Sequence, residues 1–322
     1  MKLLIGGSPC THWSIAQTKN RETEASGIGW ELFLNYRIAR DKYQPDFFLY
    51  ENNKSMAPAI KAQITAELGV EPVLINSALV SAQNRQRLYW VGKRNPDGTY
   101  SQVPVEQPED RGILLRDILE SGVCWREKAY TLKANYFKSS VTSAMDGGHF
   151  PAPMAAEPKS ILVVTAPGKS MPVYEVRNGR IAIKGKEYPI KLADGFYIIR
   201  KLTVRECMRL QTVPEEYVFP VSATQAYKML GNGWTVDVIA HIMSHFTGLT
   251  AEPVEVLSMY DGMSCGHIAL DKLGVQPWLL RYYATEIDKY AIQTTQHNFP
   301  DTVQLGDAFQ VRNDDWRLGD EL

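Results

Sequence analysis

Short apolar runs alternate with segments of helical periodicity in the first hundred residues of the chain. One such segment begins at Pro58, and its apolar residues Ile60, Ile64 and Leu68 are spaced four residues apart. This pattern is typical of an amphipathic helix with proline in its first turn. The alternation indicates a parallel α/β sheet. The predicted elements are strands at Leu3–Gly7, Phe47–Tyr50, Val73–Val80 and Arg87–Gly92, and helices at Trp30–Arg40 and Pro58–Leu68.

The pattern changes after the turn signal Asn95-Pro96-Asp97-Gly98. From about Gly98 to Gly195, prolines and glycines are frequent and helical periodicity is weak. Within this stretch Val173–Val176 faces Ile181–Ile183 across Asn178-Gly179, which is a strong hairpin signal. The stretch therefore predicts a small, loop-rich, β-containing insertion into an α/β protein.

The pattern of an α/β protein resumes after the insertion. Helices are predicted around Val204–Leu210 and Val236–Phe246. The last block, Val254–Leu322, starts afresh with an apolar strand, a glycine-bearing turn and a helix, which is typical of the opening of a nucleotide-binding unit.

Composition narrows the class of protein. Of the 322 residues 44% are apolar and 22% charged, an ordinary globular balance, and no run of roughly 18 apolar residues or signal-peptide pattern is found. A soluble protein of the cytoplasm is expected. The net charge of −1 argues against a wholly basic protein that coats nucleic acid, but Met171–Lys201 carries seven Lys/Arg against three Asp/Glu. A basic surface is expected there.

The cysteines Cys10, Cys124, Cys207 and Cys265 are far apart and form no CxxC pair, so neither a zinc cluster nor a disulfide framework is predicted. Cys10 follows a predicted strand directly, which places its thiol at the carboxyl end of a parallel sheet, where active sites lie. A cysteine beside a strand is more often a buried small hydrophobe. The stiffening Pro9 and the polar stretch Thr11–Gly29, which resembles a lid, favour a nucleophile instead.

Three further groups are candidates for chemistry. Glu51 ends a buried-strand pattern and could serve in acid–base catalysis, although a helix cap or a surface position is the better explanation of this residue taken alone. The alternation of residues along a strand places Gln83, Arg85 and Arg87 on one face. The two guanidinium groups could bind an anion or a carbonyl oxygen there. The alternative is an edge strand whose charged side chains are solvated. Glu286 lies about 20 residues beyond a glycine-bearing turn, a spacing that suits an acid bound to ribose hydroxyls.

Together these segments resemble the cytosine-C5 DNA methyltransferase family, and several resemble its vertebrate de novo enzymes. Asn53 stands where the family usually has valine, and Ser264 stands in a turn where the family usually has a second glycine. The matching segments are Gly6–Ser14 (nucleophile motif), Glu51-Asn52, Gln83-x-Arg85-x-Arg87, Arg200–Thr203 with Arg205-Glu206 and Arg209–Gln211 (end of the recognition domain), Gly231–Trp234 (last cofactor motif), and Tyr260–Gly266, Glu286 and Asp307 (cofactor motifs).

The order of the motifs departs from the family, because the cofactor motifs lie at the C-terminal end instead of first. The resemblance therefore implies a circularly permuted, Rossmann-like methyltransferase sheet of the α/β class with a small β-containing target-recognition domain. The expected division is 1–97 for the nucleophile half of the catalytic domain, 98–222 for target recognition and 223–322 for the cofactor-binding half.

The resemblance implies a DNA (cytosine-5-)-methyltransferase that transfers a methyl group from S-adenosylmethionine to C5 of a flipped-out cytosine in double-stranded DNA. Cys10 would add to C6 as the nucleophile, Glu51 and Arg87 would bind the base, and Arg85 would support the pocket. The cofactor would contact Pro9, Asn232, Gly233, Trp234, Tyr260, Asp261, Gly262, Met263, Ser264, Cys265, Gly266, Glu286, Ile287, Asp307 and Ala308. DNA contacts are expected from Lys184, Lys186, Arg200 and Thr203, and no metal is expected.

Two alternatives remain open: methylation of transfer RNA, and a catalytically silent DNA-binding relative. The insertion of about a hundred residues favours a DNA enzyme over an RNA enzyme. The presence of Cys10, Glu51 and Arg87 argues against a silent relative. A bacterial or phage setting, either restriction-modification or protection of phage DNA, is expected by analogy.

Overall fold

The computed structural model describes residues 1–14, 21–145, 153–159 and 172–318. Its strands are β1 (Lys2–Gly6), β2 (Phe47–Asn53), β3 (Pro72–Asn76), β4 (Gln83–Asn84), β5 (Gln86–Arg94), β6 (Tyr100–Gln102), β7 (Ala129–Tyr130), β8 (Met154–Lys159), β9 (Val173–Arg177), β10 (Arg180–Ile183), β11 (Lys186–Pro189), β12 (Gly195–Lys201), β13 (Val254–Met259), β14 (Leu280–Thr285) and β15 (Val303–Gly306). The α-helices are α1 (Gly27–Tyr43), α2 (Pro58–Leu68), α3 (Val141–Met145), α4 (Val204–Leu210), α5 (Ala223–Asn232), α6 (Val236–Met243), α7 (Cys265–Lys272) and α8 (Lys289–Asn298).

The main sheet runs in the order β15-β14-β13-β1-β2-β5-β3, with β6 paired to β5. The strands from β15 to β2 are parallel, whereas β5 runs antiparallel to both of its neighbours, β2 and β3. The expectation of a wholly parallel sheet is therefore wrong at this edge. The connection Ser77–Arg85 is too short for the crossover of about a dozen residues that a parallel pair requires, so the chain reverses instead.

The strand expected at Val73–Val80 ends at Asn76, because the side chain of Asn76 accepts a hydrogen bond from the Ala78 amide and caps a 3-10 turn. The expected helix Val236–Phe246 ends three residues early, at Met243. The helices α5 and α8 were not expected from the sequence pattern. By contrast, α2 and α4 have the expected bounds.

The core lies on both faces of the main sheet, because successive side chains of a strand point to opposite faces. Leu3 and Ile5 of β1 pack in one cluster with Ile239 of α6 and Ile268 of α7. Leu4, between them in sequence, packs in a second cluster with residues of α1 and α2. Full burial of such a side chain stabilises the fold by about 1.5–3 kcal/mol, so β1 is anchored from both sides.

A smaller sheet, in the order β11-β10-β9-β12-β8, has a hydrophobic cluster of its own. The expected hairpin at Asn178-Gly179 is present, since β9 and β10 pair in antiparallel register with Val176 opposite Ile181. The division at residues 98 and 222 stays a prediction, while β6 pairs with β5 of the main sheet and Leu202 and Leu210 pack in the main core. No helix in the described ranges is long and apolar enough to cross a membrane.

Candidate active site

The carboxyl ends of β1, β2, β13, β14 and β15 open onto one cavity of about 510 Å³. Parallel strands bring their carboxyl ends to the same edge of a sheet, where ligand sites of α/β proteins form. The lining includes residues expected at the base site and at the cofactor site: Gly7, Pro9, Thr11, Glu51, Arg85, Arg87, Asn232, Gly233, Trp234, Tyr260, Asp261, Gly262, Met263, Cys265, Glu286, Ile287, Asp307 and Ala308. The two expected sites therefore share one cavity.

Glu51, near the end of β2, is held from two directions. Its Oε1 lies 3.0 Å from Nε of Arg87, and its Oε2 accepts a hydrogen bond of 2.9 Å from Nε1 of Trp234. Gly7 allows the nucleophile loop to approach, since a Cβ there would lie 2.8 Å from Oε2 of Glu51. The ion pair and the hydrogen bond hold the Glu51 side chain in a fixed orientation.

Asn52 points away from Glu51 and fixes the loop that leads to Cys10. Its Nδ2 donates to the main-chain oxygen of Ser8 at 3.3 Å and to the hydroxyl of Tyr50 at 3.1 Å. The hydroxyls of Tyr50 and Ser8 lie 2.7 Å apart. Burial raises the pKa of Tyr50 above its ordinary value, so the phenol stays protonated and available for these bonds.

Cys10 begins a 3-10 turn, Cys10–His12, directly after the loop that follows β1. Its neighbours Pro9 and Thr11 both line the cavity. The Cys10 side chain lies outside the described structure, as does the part of the expected lid at 15–20. Its role as nucleophile stays a prediction, and its main chain lies at the edge of the cavity.

Arg85 does not share a strand face with Arg87, and this expectation is corrected. The strand is interrupted, since β4 ends at Asn84 and pairs with β7, whereas β5 begins at Gln86. The Arg85 guanidinium is buried and donates to the main-chain oxygens of Leu132, Gly231 and Gly233 at 2.8–3.2 Å. Arg85 thus anchors the turn that carries Trp234.

Asp261 lies at the cofactor end of the cavity and is partly buried. Its carboxylate accepts hydrogen bonds from the hydroxyls of Ser264 and Tyr282. Burial raises the pKa of Asp261 to about 6, although these hydroxyls favour the anion. Ser264 and Gly266 do not line the cavity: Ser264 supports Asp261, and a Cβ on Gly266 would lie 2.2 Å from Cδ1 of Ile5.

Glu286 follows β14 and is oriented by the main chain. Its Oε2 accepts the amide of Gly262 at 2.8 Å, and its Oε1 accepts the amides of Ile287 and Asp288, both at 2.8 Å. Such a carboxylate is fixed before any ligand binds and has lone pairs left for hydroxyl donors. Ile287 lines the cavity while 74% exposed, which leaves an apolar surface beside the acid.

Asp307 and Ala308 lie at the far edge of the cavity, where the Asp307 side chain accepts the Phe309 amide at 2.9 Å and caps a 3-10 turn. Lys228 and Asp288 are charged lining residues that were missed in the sequence. Lys228 of α5 forms a 2.6 Å ion pair with Asp288 across the cavity rim. The position of Lys228 three residues before the last cofactor motif was the available signal.

The expected DNA contacts do not lie together. Arg200 donates to both oxygens of Glu206 and to Glu157, each at 2.8 Å. Although burial opposes it, this pairing lowers the pKa of Glu206 below its ordinary value. Thr203 caps α4 by accepting the amide of Glu206. Both expected contacts are therefore engaged within the protein, in a network that joins the small sheet to α4.

Lys184 and Lys186 are exposed at the turn between β10 and β11. The ammonium group of Lys186 lies 4.9 Å from the ring centroid of Tyr188. DNA contact by these lysines stays a prediction.

The thiols of Cys207 and Cys265 are buried, and burial raises the pKa of both, that of Cys265 to about 12. They are therefore poor sources of thiolate. Among the residues that the structure describes, no three His, Cys, Asp or Glu side chains are grouped to hold a metal ion.

A family model described as C-5 cytosine-specific DNA methylase matches residues 1–247. The Type II methyltransferase M.HpaII of Haemophilus parainfluenzae is 28% identical over 253 residues, which cover 74% of this chain and 69% of the relative. M.SsoII of Shigella sonnei, also a Type II methyltransferase, is 29% identical over 259 residues, covering 74% of this chain and 62% of the relative. The solved structure of the Entamoeba histolytica methyltransferase EhMeth aligns over 76% of each chain with a TM-score of 0.48 and 11% identity.

The family match covers well over half of the chain. It confirms the resemblance drawn from the motifs and, with it, the α/β methyltransferase class and S-adenosylmethionine as the cofactor. The protein therefore belongs to the C-5 cytosine-specific DNA methylase family.

Proposed function

We propose that this protein transfers a methyl group from S-adenosylmethionine to C5 of a cytosine held in the cavity, with Cys10 as the nucleophile. The observation that carries the proposal is the single cavity in which Glu51, fixed by Arg87 and Trp234, faces the same space as Glu286. A methyl donor and a base can be bound there next to one another, which the transfer requires.

The residues of the cofactor end fit S-adenosylmethionine. The Glu286 carboxylate, fixed by three amides, suits the ribose hydroxyls, and Ile287 offers an apolar surface to the adenine ring. Asp307 would accept from the adenine amine, and the turn from Asp261 to Gly266 would hold the methionine end. When bound, the cofactor supplies an electrophilic methyl group.

Cytosine C5 is a weak nucleophile until a thiolate adds to C6. The proposed step joins Sγ of Cys10 to C6 and places electron density on C5, which then takes the methyl group. Transfer of the C5 proton to water breaks the bond between Sγ and C6 and releases the thiolate. Glu51 would accept from the exocyclic amine and bind N3 through a shared proton, and Arg87 would donate to O2. The ion pair places an acceptor and a donor side by side, which matches that edge of the base.

The target carbon is out of reach within a stacked duplex, so we propose that the base is flipped into the cavity, at a cost of about a few kcal/mol. The relatives are named Type II methyltransferases, and we propose the same restriction-modification setting, in the cytoplasm of a bacterial host, for this chain. Protection of phage DNA would use the same chemistry.

Transfer of a tritiated methyl group to unmethylated plasmid DNA and to transfer RNA tests the proposal. We expect transfer to DNA and none to transfer RNA. Cys10→Ser should abolish transfer, because a hydroxyl is a far weaker nucleophile than a thiolate, while binding of S-adenosylhomocysteine should persist. Cys124→Ser, a half-buried thiol of the insertion, is the matched control and should retain activity.

Adduct formation with duplex DNA that contains 5-fluorocytosine tests the covalent step, because fluorine at C5 cannot leave as a proton does. We expect an adduct resistant to denaturant with the wild-type protein and none with Cys10→Ser. Transfer by Cys10→Ser at the wild-type rate would refute the nucleophile. Absence of transfer to either nucleic acid would support the silent relative instead.

A further inference from the structure

Glu22 connects the turn that begins at Cys10 with the start of α1. Its Oε2 accepts a 3.0 Å hydrogen bond from Nε1 of Trp13, and its Oε1 accepts the amide of Gly29 at 3.2 Å. The same Oε1 lies 3.6 Å from Nδ1 of His12, and the Glu22 amide donates to the main-chain oxygen of His12 at 2.9 Å. Three of these four contacts fix His12 and Trp13, which follow the nucleophile position, and the fourth joins them to the start of α1.

Arg21, the preceding residue, connects the same turn with the end of β2. Its guanidinium donates to the main-chain oxygen of Trp13 at 3.3 Å and to that of Ser55 at 2.7 Å. Ser55 follows the strand that carries Glu51. Arg21 thus connects, through its two hydrogen bonds, the main chain that follows Cys10 with the main chain that follows Glu51.

The packing around this pair is close. Trp13 is fully buried in the cluster that includes Trp30 and Phe33 of α1. A Cβ on Gly29 would lie 2.5 Å from Oε2 of Glu22 and 2.6 Å from Nε1 of Trp13. The close contact of α1 with these two side chains therefore requires glycine. The Glu22 side chain is only 17% exposed. A polar side chain buried to this extent requires hydrogen-bond partners, and both of its oxygens have them here.

We propose that Arg21 and Glu22 are positioning residues that brace the Cys10–His12 turn against β2 and α1, so that the nucleophile and Glu51 keep a fixed separation. The inference rests on the proposed function, in which both residues act on one base. Glu22 must be a carboxylate, because each of its oxygens accepts from a different donor. A glutamine side chain has one acceptor oxygen and cannot replace both bonds.

The test compares Glu22→Gln and Arg21→Lys with the wild-type protein. Glutamine is nearly isosteric with glutamate, and lysine keeps the positive charge while losing the two directed bonds. Glu24→Gln is the matched control, since Glu24 is exposed and its main-chain oxygen accepts the Ser26 amide. The measured quantities are the rate of adduct formation with 5-fluorocytosine DNA, kcat and KM for plasmid DNA, and the affinity for S-adenosylhomocysteine.

We expect both variants to form the adduct about tenfold or more slowly and to lose kcat in parallel, because small misplacement of reacting groups is costly. The KM for DNA and the affinity for S-adenosylhomocysteine should change by less than about twofold, since no brace contact reaches the cofactor end. Glu24→Gln should match the wild type in every measurement. A merely structural role would lower cofactor affinity and adduct rate together.

Trp13→Phe keeps the buried ring and removes only the indole donor to Glu22, so it tests the brace if Glu22→Gln does not fold. It should slow the adduct while leaving S-adenosylhomocysteine binding intact. Two results would overturn the positioning role of Arg21 and Glu22 while leaving the proposed function intact. One is adduct formation as fast as that of Glu24→Gln, and the other is a loss of cofactor affinity as large as the loss of adduct rate. A wild-type protein that forms no adduct and transfers no methyl group overturns the proposed function and the brace with it.

Discussion

Trp234 lines the cavity, and its indole donates to Glu51. Arg85 holds the turn beneath it through the main-chain oxygens of Gly231 and Gly233. A hydrogen bond to a charged group contributes about 1.5–3 kcal/mol. The orientation of the Glu51 carboxylate therefore depends on Trp234 and, through the turn, on Arg85.

Trp234→Phe keeps the aromatic surface and removes the donor to Glu51. We expect kcat for methyl transfer to fall about tenfold or more, because each 1.4 kcal/mol lost in the transition state is a factor of ten. Affinity for S-adenosylhomocysteine should fall less. Trp278→Phe is the control, since Trp278 is 78% exposed just before β14, at the opposite end of that strand from the cavity. An unchanged kcat would show that Glu51 does not need this bond.

Asp261 makes stability depend on pH. Because burial raises its pKa to about 6, the folded protein binds this proton more tightly than the unfolded chain does. The stabilisation is complete below the unfolded-state pKa of about 3.9 and is lost as pH rises through the folded-state value. Asp261→Asn, which stays neutral, should therefore raise the melting temperature more at about pH 7.5 than at about pH 4.5.

Thermal melts of the ligand-free wild type and Asp261→Asn at both pH values check this expectation. Asp301→Asn, at an exposed position, is the control and should show no such difference. An equal shift at both pH values would mean that Asp261 titrates in the folded protein as it does in the unfolded chain.

The bounds of helices and strands were predicted best from the sequence where several local signals, such as a proline at one end and a glycine at the other, coincide. For α2 both bounds were correct, because Pro58 occupies its first turn and Gly69 ends it with φ of +74°. The helix α8 was missed because its buried positions include Thr294 and Thr295, which hide the apolar periodicity. The orientation of Arg85 could not be read from alternation, because the break between β4 and β5 depends on pairing with the distant β7.

The hairpin of β10 and β11 presents Lys184 and Lys186 at its turn, where Lys184 and Gly185 both have positive φ. Replacing both lysines by glutamine should weaken DNA binding and reduce the slope of log affinity against log salt by about 1 to 2, since each phosphate contact releases a counterion. The methylated sequence should not change, because phosphate contacts carry no base information.

Fluorescence anisotropy at several salt concentrations and bisulfite sequencing of methylated plasmid measure these two effects. Lys61→Gln, at an exposed position on α2, is the control variant. If the double variant keeps the wild-type salt slope, the hairpin does not face DNA.

In the folded protein, the last block of the chain pairs with the first strand, β1, through β13. Every residue of β1 pairs with β13, from Lys2 opposite Glu255 to Gly6 opposite Met259, and the Met1 amino group donates to the main-chain oxygen of Pro253 at 2.7 Å. The later part of the block returns to this region, because Lys42 donates to the main-chain oxygen of Asn313. Its neighbour Tyr43 lies beneath the ammonium group of Lys2, 5.0 Å from the ring centroid.

The order of the motifs therefore supports a specific rearrangement. The family model ends at residue 247, before β13, and the connection Thr247–Pro253 is largely exposed. We predict that moving Val254–Leu322 in front of Met1, and opening the chain within Thr247–Pro253, gives an enzyme that methylates the same sequence, because breaks in exposed connections between neighbouring ends are tolerated. Circular dichroism, S-adenosylhomocysteine calorimetry and bisulfite sequencing test this in turn. A rearranged chain that folds but neither binds the cofactor nor methylates DNA would refute the permutation, because β13 to β15 would then not act as the cofactor half of this sheet.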